Sequence, residues 1–180
     1  MTESPILRTE RLILRVHRLE DFDEVAAMWS DPDFIRFIGN GQPISKEAAW
    51  IRFQRIAGFW PLLGYGFFAI EHSASGRVIG EAGFLERIPP TTEARTPEAG
   101  WALATASRGH GYAGEAVAAM LAWGDERFEH TTCDISRENA PSIALALRCG
   151  YREVGLAPLP EDWTGPEFLE FERRRPAGAG

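Results

Sequence analysis

Residues 107–115 read SRGHGYAGE and contain three glycines in the pattern G-x-G-x-x-G, at Gly109, Gly111 and Gly114. Closely spaced glycines let a backbone turn sharply and bring its N–H groups near an anion. A helix that begins directly after such a loop adds the positive end of its dipole. The stretch therefore predicts a phosphate-binding loop, to which Arg108 adds a fixed positive charge.

The same glycine pattern occurs in dinucleotide-binding folds, and Asp134 lies 20 residues after Gly114, where a ribose-binding carboxylate is expected. In that fold the first glycine directly follows a strand, whereas here residues 105–108 separate the preceding strand from Gly109. The chain before the loop also reads as consecutive short strands rather than as repeated strand–helix–strand units. These features oppose a dinucleotide enzyme, which stays an alternative, as does a loop whose glycines only serve turn geometry.

The length and charge of the chain limit its class. A chain of 180 residues allows one domain, expected over residues 1–180, with its core at 7–172 and a flexible tail at 173–180. The net charge of −7 argues against nucleic-acid binding, which needs a basic face. No apolar run reaches the roughly 18 residues of a spanning helix, and the N-terminus has no secretory pattern. We expect a cytoplasmic protein without a membrane partner.

The cysteines and histidines do not form a metal-binding pattern. Cys133 and Cys149 lie in apolar segments without metal-like spacing, which predicts free, buried thiols rather than a disulfide. His17, His72 and His130 share no ligand spacing either. We therefore expect no metal site.

The front third of the chain reads as mostly helical. Apolar spacing predicts a strand at residues 11–16, a helix at 22–29 and a second helix at 46–59. Ser45 is the expected N-cap of the second helix, and Pro61 is expected to stop it.

From residue 65 the pattern changes to short apolar runs, separated by turns and by the loop PPTTEARTP, which predict an antiparallel meander. After the glycine loop we expect a helix at 115–128, a strand at 131–135 and a helix from Asn139 to Gly150. Closing strands are expected at 151–156 and 166–172.

Several motifs resemble one family in their order and spacing. RGHGYA at 108–113 resembles the R/Q-x-x-G-x-G/A motif with which GNAT acetyltransferases bind the pyrophosphate of acetyl-CoA. The segments TERLILR at 9–15, EAGWAL at 98–103, NAPS at 139–142 and RCGY at 148–151 are similar to the RimJ/RimL-like branch.

The resemblance implies an α/β fold of the α+β type, with a mixed, mostly antiparallel, twisted sheet of about six to seven strands. Helices flank this sheet, which is splayed at its centre. The resemblance also implies an N-acetyltransferase that moves the acetyl group of acetyl-CoA directly to a primary amine. The acceptor would be a protein or peptide N-terminal α-amine or a small-molecule amine. A non-catalytic acyl-CoA-binding domain is the alternative.

The resemblance further implies that loop and strand-edge backbone groups hold acetyl-CoA, and that a strand-edge N–H near Leu103 stabilises the thioester oxygen. The expected cofactor-binding residues are Trp101, Leu103, Arg108, Gly109, His110, Gly111, Tyr112, Ala113, Gly114, Asn139 and Ser142.

The resemblance places Glu98 beside the acetyl group as the general base, with a surface carboxylate as its alternative. Many family members carry a tyrosine seven residues after the asparagine that matches Asn139, and this chain has Ala146 there. Ser142 can donate a hydrogen bond to the departing sulfur instead, or it only caps its own helix. Tyr151 is a weaker candidate, because an aromatic residue at a strand start more often packs in the core.

Four aromatic residues of the helical front third, Trp29, Phe34, Phe37 and Trp60, are predicted to wall the acceptor pocket, with a core position as the alternative. An apolar edge near the closing strands and Trp163 is compatible with a homodimer.

Overall fold

The computed structural model describes residues 5–86 and 96–176, which form eight strands and five α-helices. The strands are β1 (Leu7–Arg8), β2 (Leu12–Val16), β3 (Phe67–His72), β4 (Val78–Leu85), β5 (Glu98–Leu103), β6 (His130–Ser136), β7 (Arg152–Leu156) and β8 (Phe168–Arg174). The helices are α1 (Phe22–Ser30), α2 (Pro32–Ile35), α3 (Lys46–Leu63), α4 (Tyr112–Asp125) and α5 (Ala140–Arg148). Most of the expected PPTTEARTP loop lies outside the described residues.

All eight strands belong to one sheet in the order β1-β2-β3-β4-β5-β6-β8-β7. Strands β1 to β5 are antiparallel neighbours, and β8 pairs antiparallel with both β6 and β7. This arrangement confirms the mixed, mostly antiparallel sheet and the meander. The strand beyond the expected number is the two-residue β1, which is too short to leave a periodic signal in the sequence.

The sheet is splayed between β5 and β6. These two strands are parallel, and they share a single register pair, Glu98 with Thr132. The Thr132 N–H also donates to the Pro97 carbonyl at 3.1 Å. Beyond this point the strands part, which confirms the expected central splay.

The two faces of the sheet are covered by different helices. The core around α4 includes Phe84 and Met120, which are fully buried. The core around α1 and α3 includes Val25, Phe53 and Ala69. Because side chains alternate along a strand, neighbouring residues of β3, β4 and β5 contribute to opposite cores. Within the described ranges no helix is both long and apolar enough to cross a membrane.

Two helix boundaries differ from the sequence-based prediction. Helix α3 continues through Pro61 to Leu63, and its C-cap Gly64 has a left-handed backbone (φ 78°) whose N–H donates to the Trp60 carbonyl at 3.0 Å. Proline removes its own backbone donor and crowds the carbonyl four residues earlier, but the packing of Trp60 and Leu63 against the core around α4 keeps the chain helical past it. Helix α4 begins at Tyr112, three residues before the expected start, because Gly111 (φ 81°) is its N-cap.

The C-terminal segment stays ordered beyond the expected start of the tail. Arg173 lies in β8, is buried, and donates from Nη2 to Asp125 Oδ2 at 2.8 Å and from Nε to the Cys149 carbonyl at 2.9 Å. A basic C-terminal run is typical of a solvated tail, but here the Asp125 carboxylate draws Arg173 into the fold. Cys133 and Cys149 are free thiols, and Cys133 is buried as predicted, whereas Cys149 is only half-buried.

A buried ion pair ties β2 to the start of α1. Arg15 donates from Nη1 and Nη2 to the two carboxylate oxygens of Asp21 at 2.7 and 2.8 Å. Its Nε donates to Glu71 at 2.6 Å, and the Arg18 N–H donates to Asp21 at 2.6 Å. Burial alone raises the pKa of the Asp21 carboxyl, but these hydrogen bonds outweigh it and hold the pKa below the ordinary value.

We predict that Asp21→Asn destabilises the protein at neutral pH, because Arg15 keeps its buried charge without its partner. The free energy of unfolding should fall by about 3 kcal/mol at pH 7. A lowered pKa stabilises the fold above the ordinary aspartate pKa, and this stability is lost as pH falls through the folded-state pKa. The difference in unfolding free energy between the variant and the wild type should therefore become smaller at acidic pH.

Urea unfolding at a series of pH values measures this difference in unfolding free energy. Asp23→Asn is the matched control, because Asp23 pairs with Lys46 while its side chain is 81% exposed. An equal loss of stability in both variants would contradict the prediction.

Candidate functional site

The parting of β5 from β6 leaves one edge of β5 without a strand partner. The Ala104 N–H donates to the Ile79 carbonyl at 2.8 Å, which orients the backbone of Ala104 toward the β4 side. Backbone groups alternate in direction along a strand, so those of Ala99, Trp101 and Leu103 point the other way, into the gap. The two predicted strand-edge residues, Trp101 and Leu103, therefore both face the splay.

The glycine loop ends where α4 begins. Gly109 and Gly111 have left-handed backbones with φ of 83° and 81°, which a side chain would strain. The first closed helical bond runs from the Glu115 N–H to the Gly111 carbonyl at 3.2 Å. The N–H groups just before Glu115 have no acceptor in the helix, and they point out of its N-terminus. Gly114 lies in the first helical turn with an ordinary φ, so turn geometry does not require glycine there.

The side chains of the loop connect it to the sheet. Arg108 is an exposed residue, and its Nε donates to the Leu103 carbonyl at 3.2 Å, at the end of β5. The exposed His110 ring stacks on Tyr112 with 5.5 Å between ring centroids. The Tyr112 hydroxyl lies 3.2 Å from His72 Nε2 on β3. The loop is thus held in place by contacts at both ends.

Thr9, Arg11 and Glu115 form a clasp that holds the loop from the N-terminal side. Glu115 Oε1 accepts from the Thr9 hydroxyl at 2.6 Å and from the Arg11 N–H at 2.8 Å, and Arg11 Nε donates to Oε2 at 2.8 Å. Arg11 Nη1 donates to the His110 carbonyl at 3.0 Å, and its guanidinium lies 4.7 Å from the Tyr112 ring centroid. The sequence motif TERLILR indicated the family, but not this mechanical role.

The groups around Glu115 determine its protonation state. Burial raises the pKa of the Glu115 carboxyl, but hydrogen bonds from Thr9 and Arg11 and the Arg11 charge outweigh burial, so the pKa is lowered. Glu115 therefore stays a carboxylate, and the clasp stays closed, at neutral pH.

A cavity of about 410 Å³ opens at the splay and brings many of the predicted residues together. The expected catalytic, cofactor and acceptor residues that line it are Glu98, Trp101, Asn139, Ser142, Trp29 and Phe37. Phe34 and Trp60 do not line it. Phe34 is 2% exposed and packs edge-on against Trp29, and Trp60 packs against Phe68 while its Nε1 donates to the Phe67 carbonyl at 3.0 Å. Helical periodicity cannot distinguish such core positions from cavity positions.

Glu98 lies on the same face of the sheet as the helices α1 and α3. It is opposite Leu85 in the β4–β5 register, and Ala102 is opposite Glu81. Alternation along both strands puts Glu98, Ala102, Leu85 and Glu81 on one face. Glu81 contacts α1 and α3, so the Glu98 side chain projects toward this face, into the cavity.

Asn139 and Ser142 form the opening turn of α5 at the cavity wall. Asn139 Oδ1 accepts from the Ser142 N–H at 3.3 Å, which confirms Asn139 as the N-cap. The Asn139 N–H donates to the Ser136 carbonyl at the end of β6, at 2.8 Å. The Ser136 hydroxyl also lines the cavity and is buried without a hydrogen-bond partner in the described ranges. No local sequence pattern singles out Ser136.

The position at which many relatives carry a tyrosine is buried and does not line the cavity. Ala146 is fully buried in α5. The Tyr151 hydroxyl is hydrogen-bonded to Thr131 Oγ1 at 2.8 Å inside the core, and burial raises the pKa of this phenol above its usual value. Neither residue lines the cavity. Tyr151 packs in the core, as its position at the start of a strand predicted.

A buried carboxylate that sequence reasoning missed also lines the cavity. Glu81 is 1% exposed, and its Oε2 accepts from Trp29 Nε1 at 2.8 Å. Arg52 Nη1 lies 3.0 Å from Oε1 and from Oε2. His17 Nε2 lies 3.0 Å from Oε1 but lacks the alignment of a hydrogen bond, so we regard it as an electrostatic contact.

These contacts decide the charge of Glu81. Burial raises the pKa of the Glu81 carboxyl, but the Arg52 charge and the His17 contact reverse the shift and hold the pKa far below its usual range. Glu81 is therefore a carboxylate at neutral pH. A charged residue within the apolar run VIGEAGFL was the signal that could have identified it.

The connection between β7 and β8 forms another wall. Leu159, Pro160 and Trp163 line the cavity there, and Trp163 Nε1 donates to the Pro166 carbonyl at 3.0 Å. In the sequence, an apolar edge near the closing strands and Trp163 was compatible with a homodimer. Trp163 lines the cavity, and the exposed apolar side chains of edge strand β7 are Val154 and Leu156, at 48% and 58%.

Comparison with known proteins identifies the family of the chain. Residues 11–152 match the family described as an acetyltransferase (GNAT) domain. The uncharacterized N-acetyltransferase p20 of Bacillus licheniformis is 29% identical over 153 residues, which cover 83% of this chain and 84% of that protein.

Solved structures share the fold. A putative GNAT-family acetyltransferase from Bordetella pertussis has a TM-score of 0.78 and 32% identity, over 94% of this chain and 99% of that one. RimL, a ribosomal L7/L12 α-N-protein acetyltransferase solved with coenzyme A, has the same TM-score with 16% identity, over 94% and 98% of the two chains, and supports the fold alone. The chain therefore belongs to the GNAT family of acetyl-CoA-dependent N-acetyltransferases.

Proposed function

We propose that this chain transfers the acetyl group of acetyl-CoA directly to a primary amine while both substrates are bound. The parting of β5 and β6 after one backbone pair is the observation that carries the proposal. The gap exposes the edge of β5 next to the glycine loop, and it leads to the cavity on the α1/α3 face. Two substrates can thus reach one strand edge from different sides of the sheet.

The loop and the strand edge fit acetyl-CoA. We assign its pyrophosphate to the N–H groups of residues 109–114, the α4 dipole and the exposed Arg108 charge. A side chain at Gly109 would meet no atom within 4 Å, so the loop surface is open to such a ligand. The pantetheine arm is assigned to the open edge of β5, beside Trp101 and Asn139. Bound acetyl-CoA supplies an activated acetyl group as a thioester.

The thioester oxygen gains negative charge during transfer and needs a fixed donor. Leu103, the residue expected from the sequence, lies outside the cavity wall, whereas Trp101 lines it. We therefore assign the donor to the Trp101 N–H, which points into the gap. This N–H is fixed by β4–β5 pairing, so it needs no rearrangement as charge develops.

We assign Glu98 as the general base, directly or through water. Only a neutral amine is nucleophilic, and its nitrogen loses a proton as it bonds to the acetyl carbon. Glu98 projects into the cavity from the strand whose edge is assigned to the thioester. Glu81 does not suit this role, because Trp29 and Arg52 already occupy its oxygens.

The departing sulfur needs a hydrogen bond after its bond to the acetyl carbon breaks. We assign this contact to the Ser142 hydroxyl, because Ser142 lines the cavity, while Ala146 and Tyr151 lie in the core. A serine hydroxyl stabilises a thiolate as a donor but is a weak acid at neutral pH. Final protonation of the thiolate is therefore assigned to water.

The acceptor is proposed to be a protein or peptide N-terminal α-amine or a small-molecule amine. An α-amine, with a pKa of about 8, is deprotonated more easily than lysine at about 10.4. The test is thiol release from acetyl-CoA with a library of peptides, amino acids, diamines and other amines. Turnover with at least one amine supports the proposal. Retained acetyl-CoA binding without turnover supports the acyl-CoA-binding alternative, which Ala146 favours.

We predict that Arg11→Gln weakens acetyl-CoA binding, because the loop loses its contact to the His110 carbonyl and part of the clasp to Glu115. The KM for acetyl-CoA should rise about tenfold, with little change in kcat. Steady-state kinetics measure both constants. Arg8→Gln, a charge change at an exposed residue three positions away, is the control. The same KM in the two variants would refute the role of the clasp.

We predict that Glu98→Gln lowers kcat by about 100-fold at neutral pH, because the general base is lost. The loss should shrink as pH rises toward the pKa of the amine, since more acceptor is then neutral. A pH profile of kcat measures this, with the exposed Glu153→Gln as the control. A loss that is independent of pH would argue against a base.

We predict different effects of two hydroxyl deletions. Ser142→Ala should lower kcat by about tenfold, because one hydrogen bond to a developing charge is worth roughly 1.5 kcal/mol. Tyr151→Phe should leave kcat unchanged and reduce the free energy of unfolding by about 1 kcal/mol. Kinetics and thermal unfolding separate the two effects. A large drop in kcat for Tyr151→Phe would reverse the assignment.

A further inference from the structure

The charged groups in the cavity wall are unevenly placed. Arg52 and Arg55 lie three residues apart on α3, so they share one side of the helix, and both line the cavity. Arg52 contacts Glu81, which is opposite Ala102 on β5. Glu98 lies four residues before Ala102, at a distance of about 13 Å along the strand. The guanidinium groups and the proposed base therefore occupy different parts of one cavity.

The Arg52 guanidinium is fixed and still has donors to offer. Its side chain is 16% exposed, its Nη1 contacts both oxygens of Glu81, and its Cζ lies 3.7 Å from the Trp29 ring centroid. Among the described residues, no acceptor contacts its Nε or Nη2. A guanidinium held this way presents N–H groups to a ligand without losing further side-chain freedom.

Arg55 adds a charge that the described part of the protein leaves unbalanced. It is exposed at the cavity, and none of the ion pairs between described residues includes it. Its guanidinium lies 6.0 Å from the Phe59 ring on the same helix. Glu81 cannot balance it as well, because its oxygens are held by Trp29 and Arg52.

The direction of α3 places Arg55 closer to the base than Arg52. Arg52 is beside Glu81, whereas Trp60, two turns later, donates to the Phe67 carbonyl, and Phe67 is opposite Gly83. The helix thus advances along β4 from Glu81 toward Leu85, which is opposite Glu98. A short acceptor can then place one end at Glu98 and the other at Arg55.

We propose that the acceptor is an amine that also carries an anionic group, a carboxylate or a phosphate. This inference rests on the proposed acetyl transfer. The anionic group pairs with Arg55 while the amine lies at Glu98, and Arg52 Nε and Nη2 are further donors on the same side of α3. Charge-assisted contacts to guanidinium offset the cost of removing both charges from water. A neutral amine of the same shape leaves these donors without a partner.

Matched acceptors test the proposal. We would compare kcat/KM for 5-aminopentanoate with 5-aminopentanamide, for 3-aminopropyl phosphate with 3-aminopropanol, and for the amidated dipeptides Ala-Asp and Ala-Asn. At equal concentrations of neutral amine, at least one anionic member should be preferred by about tenfold or more. The pairs that show a preference distinguish carboxylate from phosphate. Equal rates within every pair would overturn the proposal.

Arg55→Gln should reduce this preference about tenfold, because the lost ion pair acts on the anionic member of each pair. Arg174→Gln is the matched control, because Arg174 is exposed at the far end of β8, opposite His130. Arg52→Gln leaves Glu81 buried without its main partner and can unfold the chain, so Arg55 carries the test. An unchanged preference in Arg55→Gln would also overturn the proposal.

A binding experiment separates this inference from the catalytic one. The same acceptor pairs are titrated calorimetrically into the protein saturated with coenzyme A. Tighter binding of the anionic member, lost in Arg55→Gln, supports the inference even if no amine is acetylated and the catalytic proposal fails. Turnover of neutral and anionic amines at the same rate, with equal binding, refutes the inference and leaves acetyl transfer intact.

Discussion

The site depends on one constraint, the parting of β5 and β6 after the single backbone pair of Glu98 and Thr132. A sheet that continued its pairing would occupy the backbone groups of Ala99 and Trp101 and close the cavity. The parting costs backbone hydrogen bonds, which a bound ligand or water must replace. The strand edge therefore leaves backbone groups unpaired in the middle of the sheet, where an extended amide-containing ligand can pair with them.

The structure supports this opening from both sides. The clasp of Thr9, Arg11 and Glu115 holds the glycine loop at the start of α4, and Arg108 joins that loop to the end of β5. On the other face, the buried Glu81 carboxylate joins α1, α3 and β4 beneath the cavity through Trp29 and Arg52. Long-range ion pairs thus hold both the loop and the cavity floor, while the gap between them stays open.

The elements that depend on neighbouring residues could be predicted from the sequence. The glycine spacing predicted the loop, and the Asn139 cap predicted the start of α5, because turn and cap chemistry depend on neighbouring residues. The family resemblance supplied Glu98 and Ser142, which periodicity alone would not have selected. Pro61 misled the prediction of the end of α3, since the packing of Trp60 and Leu63 against the core keeps the chain helical past the proline.

The part that sequence reasoning missed is assembled from distant segments. Trp29 and Arg52 are ordinary in their local patterns, and only the packing of α1 on β4 and of α3 on α1 brings them to Glu81. Helical spacing likewise gave no way to separate Phe37, which lines the cavity, from Phe34, which is buried beside it. In both examples the position of the side chain depends on tertiary contacts that no local sequence pattern records.

The most direct test of the account is calorimetric titration of the purified protein with acetyl-CoA, with NADH as the control ligand. The account predicts micromolar acetyl-CoA binding and no NADH binding, with acetyl-CoA binding lost in Gly111→Trp, which blocks the loop. Gly64→Trp, at another left-handed glycine away from the loop, should bind normally. A folded protein that fails to bind acetyl-CoA, or a Gly111→Trp variant that binds it as the wild type does, would contradict the assignment of the loop.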